Sequence, residues 1–537
     1  MKKNGYSFSR SICLSVRIVM LVILFTVLAP TAANAADRET HNYDDLRIYQ
    51  IMVASFNDGD SSIGYDSIWG SATLQNPGGD IQGIIDALDY IKGTGVNAIW
   101  LTPVFTSEGS EETADGTDAI SDDPTGNKLN ATGYYTTDYF RIDPQFGDSD
   151  KLCELVSKAH KKGMYVFLDA VFGHCSANVN TVSPKGNKLV LRKGSNEFTN
   201  DAGGGNIDVG ESIDFLKEVA LYWIDTADID GFRCDQAYQL SREQWGDIRS
   251  AVEERCGERE KEGKKWGILG YMVAEDWNTD RKKIVSDVYG SEGNIGLYSA
   301  FSFPVQQSFE RVFAENASPS AFYRAYKADA ANYPAYASPN LFIDNHDMER
   351  FGDLLTDKGI LYGSEDYLNR YKEAISLLAV YRGPVTMFYN TEIGAACHEE
   401  CPDYLKGKTG GAGNDSGRFN AVTDLSELTD WERELYDYTG KVMALKDRYP
   451  VICSGNYKAL ISDKESQIYA AKMSDKKDCI VYILNNSDKS DAVIDAADVG
   501  ADKLADVVTG RLFRAKDGKF NIEMHKDSAR FLVKWCK

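Results

Sequence analysis

The chain has 537 residues, of which 43% are hydrophobic and 26% are charged, so it is neither disordered nor fibrous and is too long for one compact core. Asp and Glu outnumber Lys and Arg by 81 to 59, which gives a formal net charge of −22. Such an acidic chain repels polyanions, so we expect no nucleic-acid binding and no general affinity for anionic lipid.

The first predicted element is a signal peptide at residues 1–35. Basic residues precede an apolar run at 18–29, and Ala33-Asn34-Ala35 has the small-x-small pattern of a cleavage site. The apolar run is short for a membrane span, although an uncleaved anchor is the alternative. Because a signal peptide implies export, we expect a secreted or periplasmic protein with no membrane attachment after cleavage.

From residue 44 to about 395, short apolar strands alternate with amphipathic helices. A helix from Ile81 is capped by Asp80, and another runs through Leu152 and ends at Gly163. The eight predicted strands are 48–53, 98–101, 165–170, 231–233, 272–274, 297–303, 341–343 and 385–389. Strand–helix alternation favours a parallel sheet, and eight units predict an α/β fold with a closed (β/α)8 TIM barrel.

Three stretches depart from this alternation. Residues 105–133 are polar and predict a loop. The Gly-rich residues 175–213 are too long for a simple strand–helix connection and predict a small subdomain inserted after the third strand. Beyond 450, short strand-like segments separated by turns predict a C-terminal antiparallel β domain at 451–537. The barrel itself would then comprise residues 44–174 and 214–450.

Ionisable residues follow four of the predicted strands. They are, in chain order, Asp169, His174, Arg233, Asp235, Glu275, His346 and Asp347. Because active sites of such barrels lie at the carboxyl ends of the strands, we expect these side chains to meet at one rim. A single carboxylate at a strand end is usually a helix cap, but the complete set is hard to explain as caps. Clustered carboxylates without a His/Cys metal set indicate acid/base chemistry on a glycosidic bond.

Such chemistry needs one ionised carboxylate and one protonated carboxylic acid. Arg233 and Asp235 are two residues apart in a strand and so share a face, where the guanidinium favours the ionised form of a nucleophile. Glu275 follows an apolar run, and partial burial would raise its pKa and suit a general acid. A structural ion pair is the alternative interpretation of Arg233 and Asp235.

The sequence resembles glycoside hydrolase family 13, the α-amylase family, over most of residues 44–450. Four motifs carry the resemblance: Asp169-Ala-Val-Phe-Gly-His174, Gly231-Phe-Arg-Cys-Asp235, Val273-Ala-Glu275 and Phe342-Ile-Asp-Asn-His-Asp347. The segments 133–147 and 383–392 match two further parts of the family pattern. The resemblance implies a retaining α-glucan hydrolase that cleaves α-1,4-glucosidic bonds of starch, glycogen or maltooligosaccharides by double displacement.

The resemblance also implies the roles of three carboxylates. Asp235 matches the nucleophile that forms a β-linked glycosyl-enzyme. Glu275 matches the acid/base that protonates the leaving oxygen and then activates water. Asp347 matches a third carboxylate that binds sugar hydroxyls and favours the distorted ring. Retention requires the two reacting carboxyl groups to lie about 5–5.5 Å apart.

Five further residues match substrate-binding positions of the family. Tyr134 matches an aromatic platform beneath the cleaved sugar, where a ring face suits the apolar C–H face of a sugar. His174 and His346 match hydroxyl-binding histidines. Arg233 matches the residue that orients the nucleophile, and Asp169 matches a residue that contacts Arg233 and supports the site.

Several positions depart from the family pattern. Gly173 stands where the family usually has an Asn that commonly binds calcium, and Thr132 replaces a His. Tyr238 and Gln239 stand where the family often has Lys-His. The usual calcium site between barrel and inserted subdomain therefore lacks a ligand, with Asp208 left as one candidate, and substrate preference cannot be carried over.

A second calcium site is predicted near the start of the barrel. Asn57-Asp58-Gly59-Asp60 and Gly78-Gly79-Asp80 resemble an N-terminal calcium loop of cyclodextrin glucanotransferases and related amylases. Oxygen ligands from Asp58, Asp60 and Asp80 suit Ca²⁺. The alternative is that Asp80 only caps its helix and the others form a turn. We expect no organic cofactor.

Two other functions stay open on the sequence alone. A transglycosylase or a small-oligosaccharide α-glucosidase of the same family would use the same residues with a different acceptor or chain length. A non-catalytic glucan-binding protein on the same fold is the third candidate, because a fold does not determine a function. The presence of Asp235, Glu275 and Asp347 argues against this last candidate.

Overall fold

The computed structural model describes residues 43–66, 68, 77–107, 130–194, 205–397, 417–488 and 490–535. The predicted signal peptide lies outside these residues. No helix in the described part of the chain is long and apolar enough to cross a membrane. The seven cysteines within the same ranges are all free thiols.

Eight parallel strands form the first sheet, and each coincides with a predicted strand. They are β1 (Arg47–Ile51), β2 (Ala98–Leu101), β3 (Tyr165–Ala170), β4 (Gly231–Cys234), β5 (Tyr271–Ala274), β6 (Ser299–Ala300), β7 (Leu341–Phe342) and β8 (Val385–Phe388). Their spatial order is β6-β5-β4-β3-β2-β1-β8-β7. A parallel bridge between Phe301 and Asn340 joins the two ends of this order. The sheet therefore closes into the predicted (β/α)8 barrel.

Helices cover the outside of the barrel. The longer ones are α1 (Ile81–Asp86), α2 (Leu88–Gly93), α3 (Ser149–Lys161), α4 (Val209–Ala227), α5 (Arg242–Lys261), α6 (Phe303–Phe309), α7 (Ser320–Asn332), α8 (Phe351–Asp357), α9 (Glu365–Val380) and α10 (Asp430–Met443). Single helical turns lie at Val53–Phe56, Ala237–Gln239, Arg281–Ile284, Val285–Tyr289, Glu310–Ala314, Thr391–Ile393, Leu445–Arg448, Val451–Ser454 and Ala496–Val499. Side-chain oxygens cap α1, α3 and α5, which satisfies amides that the helix itself leaves unpaired.

Strand side chains alternate between the barrel interior and the surrounding helix layer. Trp100 and Phe167 pack in the cluster that fills the barrel, whereas Ile99 and Leu168 pack in the cluster shared with the helices. A strand has a side-chain period of two. Asp169, two residues after Phe167, therefore projects to the interior at the carboxyl end of β3.

Two features of the long strand–helix connections differ from the sequence prediction. Phe105–Ser107 pairs with Thr136–Ile142 as an antiparallel hairpin, so the start of the predicted loop at 105–133 is a strand. Two of its three residues, Thr106 and Ser107, are polar, so the strand lacks an apolar pattern in the sequence. Helix α4 begins at Val209 after its cap Asp208, which places the barrel boundary before the predicted residue 214. Between β3 and α4 the described residues contain isolated bridges rather than regular strands.

The C-terminal part consists of antiparallel strands, as predicted. They are β9 (Asn456–Ile461), β10 (Ile468–Ser474), β11 (Cys479–Asn485), β12 (Ser490–Asp495), β13 (Lys503–Asp506), β14 (Leu512–Arg514), β15 (Lys519–Met524) and β16 (Ser528–Lys534). Six form one sheet in the order β9-β10-β11-β16-β13-β14, and β12 pairs with β15. Apolar residues of both sheets share one core. The hydroxyls of Ser376 on α9 and Tyr482 on β11 lie 2.7 Å apart, which ties this part to the barrel.

Candidate active site

The carboxyl ends of β3, β4 and β5 bring four ionisable side chains together. Asp169, Arg233, Asp235 and Glu275 are each at most 6% exposed. The two-residue period of the strands explains this placement, because Arg233 and Asp235 follow Gly231 on the interior face and Glu275 follows Val273. The predicted convergence at one rim is therefore present in the structure.

Arg233 is the centre of this group. Its Nη1 donates to Oδ1 of Asp169 at 2.9 Å and to Oδ1 of Asp235 at 2.6 Å. Its Nη2 lies 2.7 Å from Oε1 of Glu275. The guanidinium carbon lies 5.2 Å from the ring centre of Trp100, which supports the planar group from one side. One arginine thus binds three carboxyl groups, one more than its predicted partners Asp235 and Asp169.

The two oxygens of Asp235 have different surroundings. Oδ1 accepts the hydrogen bond from Arg233. Oδ2 is buried and accepts no hydrogen bond within the described residues. Nδ1 of His174 lies 3.8 Å from Oδ2. A buried carboxylate oxygen without a partner is costly, so this atom is suited to reaction rather than to structural support.

Glu275 is poised as an acid. Burial raises the pKa of Glu275 to about 8; Arg233 opposes this rise, and the charges of Asp235 and Asp347 add to it. Its Oε2 accepts a hydrogen bond of 2.9 Å from the backbone amide of Gln236. The side chain is therefore held at both oxygens and keeps its proton at neutral pH.

The surroundings of Asp347 favour its ionised form, in contrast to those of Glu275. Its Oδ1 accepts from Nη2 of Arg418 at 2.8 Å, and its Oδ2 lies 3.1 Å from Nε2 of His346. Burial disfavours the ionised form, but the neighbouring N–H of His346 and the guanidinium of Arg418 outweigh burial and lower the pKa of Asp347. Burial also lowers the pKa of His346 to about 3, so this imidazole is neutral.

Tyr134 connects the two halves of the site. Its ring stacks on the imidazole of His346 with a centroid distance of 5.6 Å and an angle of 4°. Its hydroxyl donates to Oδ2 of Asp169 at 3.1 Å and lies 2.7 Å from Nε2 of His346. The structure thus joins all eight residues predicted for catalysis and substrate binding in one network of contacts.

With this geometry, the comparisons with known proteins become informative. The family model described as "Alpha amylase, catalytic domain" matches residues 50–195 and 210–434, which is more than half of the chain. The chain belongs to the α-amylase family of glycoside hydrolases. This confirms the resemblance read from the motifs, the barrel fold and the assignment as an enzyme.

Individual relatives of this α-amylase family member cover nearly the whole barrel and the C-terminal part. The crystal structure of AmyP in complex with maltose is 35% identical with a TM-score of 0.80, and the match covers 91% of this chain and 96% of that chain. An Anoxybacillus α-amylase structure is 27% identical with a TM-score of 0.74, covering 93% and 99%. The cyclomaltodextrinase of Thermoanaerobacter pseudethanolicus is 26% identical over 482 residues, covering 84% of this chain and 71% of the relative.

Three contacts in the site of this family member were not predicted. Nε2 of Gln50 donates to Nδ1 of His346 at 2.6 Å, and Nε1 of Trp100 donates to Oδ2 of Asp169 at 3.3 Å. Both lie at interior positions of β1 and β2, so the two-residue period was an available signal. Arg418, which binds Asp347, follows no predicted strand, and nothing in its sequence neighbourhood indicated a role.

In the predicted calcium loop, both carboxylate oxygens of Asp80 accept hydrogen bonds from backbone amides. Oδ1 of Asp80 accepts from the amide of Gly83, which makes it the cap of α1. Its Oδ2 accepts from the amides of Gly59 and Asp60. Within the described ranges no three His, Cys, Asp or Glu side chains, those of Asp58, Asp60 and Asp80 included, are grouped as metal ligands. This donor set fits the cap-and-turn alternative better than a cation.

The described part of the family's usual calcium position is also built differently in this chain. Asp208 caps α4, accepting from the amide of Glu211. A Cβ added at Gly173 would lie 2.1 Å from Oε1 of Gln239, so the glutamine amide fills the space beside this glycine. No step of the reaction is therefore assigned to calcium.

Proposed function

We propose that this α-amylase family member is an exported retaining α-glucan hydrolase of the α-amylase type. It cleaves α-1,4-glucosidic bonds of starch, glycogen or maltooligosaccharides. The observation that carries the proposal is the contact of one guanidinium, that of Arg233, with both Asp235 and Glu275. The pair is held close, as a retaining mechanism with carboxyl groups about 5–5.5 Å apart requires.

In the first step, Oδ2 of Asp235 attacks the anomeric carbon of the sugar. The bond from that carbon to the glycosidic oxygen breaks as Glu275 transfers its proton to this oxygen, and a β-linked glycosyl-enzyme forms. The raised pKa of Glu275, about 8, supplies the proton at neutral pH. The lack of a partner for Oδ2 of Asp235 within the described residues supports its assignment as the attacking atom.

In the second step, Glu275 acts as a base. Now ionised, it removes a proton from a water molecule that attacks the same anomeric carbon, and the bond to Asp235 breaks with the α configuration restored. The ionised Asp347 binds hydroxyls of the sugar and stabilises the positive charge that develops on the ring. The ring of Tyr134 provides the face on which the sugar lies, and the neutral His346, stacked on this ring, binds sugar hydroxyls.

The substrate class is supported by the relatives. One related structure contains maltose and another, of an AmyP variant, contains maltotriose. Export is supported by the signal-like segment at 1–35, and the net charge of −22 suits a neutral soluble substrate. We therefore assign the mature enzyme to the periplasm or the medium.

A second candidate is a cyclomaltodextrinase or another enzyme acting on small oligosaccharides. Several relatives are named cyclomaltodextrinase, neopullulanase or maltogenic amylase. The acceptor and the length of the bound chain separate these activities from an α-amylase. Initial rates on starch, β-cyclodextrin, maltotriose and sucrose distinguish them; sucrose as the only good substrate would overturn the α-amylase assignment.

The experiment that tests catalysis is a time-resolved product profile on soluble starch, with the anomeric form of each product recorded. We expect α-anomers as first products. Asp235→Asn and Glu275→Gln are each expected to lower kcat/KM by about 10³-fold. Equal release of reducing sugar by the wild type and both variants would instead identify a non-catalytic glucan-binding protein.

A further inference from the structure

Gln239 and Gly173 form a close contact beside the catalytic residues, although 66 positions separate them in the sequence. A Cβ at Gly173 would lie 2.1 Å from Oε1 and 2.5 Å from Cβ of Gln239. Gly205 meets the same amide, because its Cβ would lie 2.9 Å from Oε1 of Gln239. Two glycines thus make room for one buried glutamine side chain, which is 7% exposed.

Both the oxygen and the nitrogen of the Gln239 side-chain amide form hydrogen bonds. Oε1 accepts from Nδ1 of His174 at 3.0 Å. Nε2 donates to Oε1 of Gln236 at 3.0 Å, and the hydroxyl of Tyr238 donates to the same oxygen at 2.6 Å. His174 lies beside Asp235, and the backbone amide of Gln236 donates to Glu275. Gln239 is therefore linked to Asp235 through His174 and to Glu275 through Gln236.

We propose that Gln239 is a positioning residue that keeps His174 away from the reactive oxygen of Asp235 and holds the Gln236 amide against Glu275. This inference rests on the hydrolysis proposed above and assigns it a further residue. Gln239 itself touches no reacting atom.

Gln239 determines which nitrogen of His174 carries the proton. The amide oxygen of Gln239 can only accept, so Nδ1 carries the hydrogen and Nε2 is left to accept from a sugar hydroxyl. The same Nδ1 lies 3.8 Å from Oδ2 of Asp235, which has no hydrogen-bond donor among the described residues. A carboxylate is a stronger acceptor than an amide. Without Gln239, the Nδ1–H group therefore turns to Asp235 and occupies the oxygen that must attack the sugar.

Gln239 also supports the backbone of Gln236. The φ of Gln236, 36°, lies in the left-handed region, which is strained for a residue with a Cβ. This conformation points its amide at Oε2 of Glu275. The hydrogen bonds from Gln239 and Tyr238 to the side chain of Gln236 hold the residue in this conformation.

The test compares two substitutions of Gln239 with a matched surface control. Gln239→Leu removes the acceptor at similar size, Gln239→Glu keeps an acceptor oxygen towards His174, and Gln82→Leu makes the same chemical change on α1. For Gln239→Leu we expect kcat on soluble starch to fall about 10-fold or more with KM changed less than about twofold. Gln239→Glu keeps the acceptor towards His174 but loses the donor to Gln236, so we expect it to recover only part of kcat; Gln82→Leu is expected to equal the wild type.

A spectroscopic readout separates this inference from the proposed function. In protein with ¹⁵N-labelled histidine, the Nδ1–H resonance of His174, assigned with His174→Phe, is expected to move downfield in Gln239→Leu as a carboxylate replaces the amide acceptor. An unchanged resonance would overturn the inference whether or not the wild type hydrolyses starch; a Gln239→Leu variant with wild-type kcat would overturn it where the wild type does. If the leucine variant does not fold, Gln239→Asn, which withdraws the amide by one methylene, provides the same measurement.

Discussion

The terminal nitrogen Nη2 of Arg233 lies 2.7 Å from Oε1 of Glu275, the group that the proposed mechanism uses as an acid. A nearby guanidinium ordinarily favours the ionised form of a carboxyl group. Here burial is the larger effect, and the pKa of Glu275 is about 8 despite this contact. Arg233 therefore fixes the position of the acid while burial preserves its proton.

The first prediction concerns the geometry of Arg233. Arg233→Lys keeps the positive charge, but a single ammonium cannot replace two nitrogens that bind Asp235 and Glu275 at the same time. We expect kcat on starch to fall about 10²-fold or more, with a smaller change in KM. Steady-state kinetics on the purified variant measure both.

The matched control for this substitution is Arg249→Lys. Arg249 lies on α5, where it contacts the carbonyl of Gly296 and the ring of Tyr298 on the outside of the barrel. We expect it to retain wild-type kinetics. Near wild-type kcat in Arg233→Lys would show that charge alone, rather than the two-pronged contact, is what the site requires.

The second prediction is the alkaline limit of activity. Glu275 must be protonated to donate, and its pKa of about 8 exceeds the ordinary value for Glu. We therefore expect kcat/KM to be constant through neutral pH and to fall tenfold per pH unit above a midpoint near 8. A midpoint below pH 6, measured on a soluble maltooligosaccharide, would contradict the assignment of Glu275 as the acid.

The third prediction links the same group to stability. Because the pKa of Glu275 is higher in the folded protein than in the unfolded chain, its contribution is present at acid pH and is lost as the pH rises through about 8. Gln resembles the protonated side chain at every pH. We expect Glu275→Gln to have a wild-type Tm near pH 4 and a Tm several degrees higher than the wild type at pH 9.

Calorimetry at the two pH values measures this difference. Glu253→Gln, on the outer helix α5, is the control and should follow the wild type at both. If Glu275→Gln lowered Tm equally at pH 4 and pH 9, the side chain would be a structural partner of Arg233 rather than a strained acid.

The strand pattern explains why most of the site could be predicted. Arg233 and Asp235, or Phe167 and Asp169, are two residues apart, so one period fixes both the strand and the side that each residue faces. The same rule applied to β1 and β2 would have found Gln50 and Trp100. Neither residue is ionisable, so no charge in the sequence marks these positions, yet both side chains bind ionisable residues of the site.

The remaining residues depend on contacts that no local pattern contains. Arg350, which follows Asp347 closely in the sequence, donates two hydrogen bonds to the carbonyl of Gly417. These bonds bring the distant segment that contains Arg418 to Asp347. Gln239 departs from the family pattern, but its role depends on the absence of a side chain at Gly173, a residue far away in the sequence. The cap at Asp80 and a calcium loop have the same sequence, and only the positions of the backbone amides distinguish them.

The fourth prediction concerns calcium. Both oxygens of Asp80 already accept from backbone amides, and Gln239 fills the space beside Gly173. We therefore expect EDTA to leave Tm and kcat/KM unchanged, and added calcium to raise neither. A rise in Tm with calcium that Asp58→Asn abolishes would establish the loop containing Asp58, Asp60 and Asp80 as a metal site.

The fifth prediction concerns Arg418 and the acid limit of activity. Nη2 of Arg418 donates to Asp347 and, with His346, lowers the pKa of that carboxyl. Removing the cation in Arg418→Gln raises the pKa, so Asp347 becomes protonated at a higher pH and can no longer stabilise positive charge on the sugar. We expect the acidic limb of kcat/KM to move to higher pH.

The pH profile distinguishes this electrostatic role from a structural one. Arg433→Gln is the control, because Arg433 binds the carbonyl of Leu425 in the segment that follows Arg418, away from the carboxylates of the site. We expect its profile to match the wild type. For Arg418→Gln, the loss of activity should be several times larger near pH 4.5 than at pH 7, since only at low pH does Asp347 become protonated and lose its negative charge. An equal loss at both pH values would mean that Arg418 holds the segment in place without tuning Asp347.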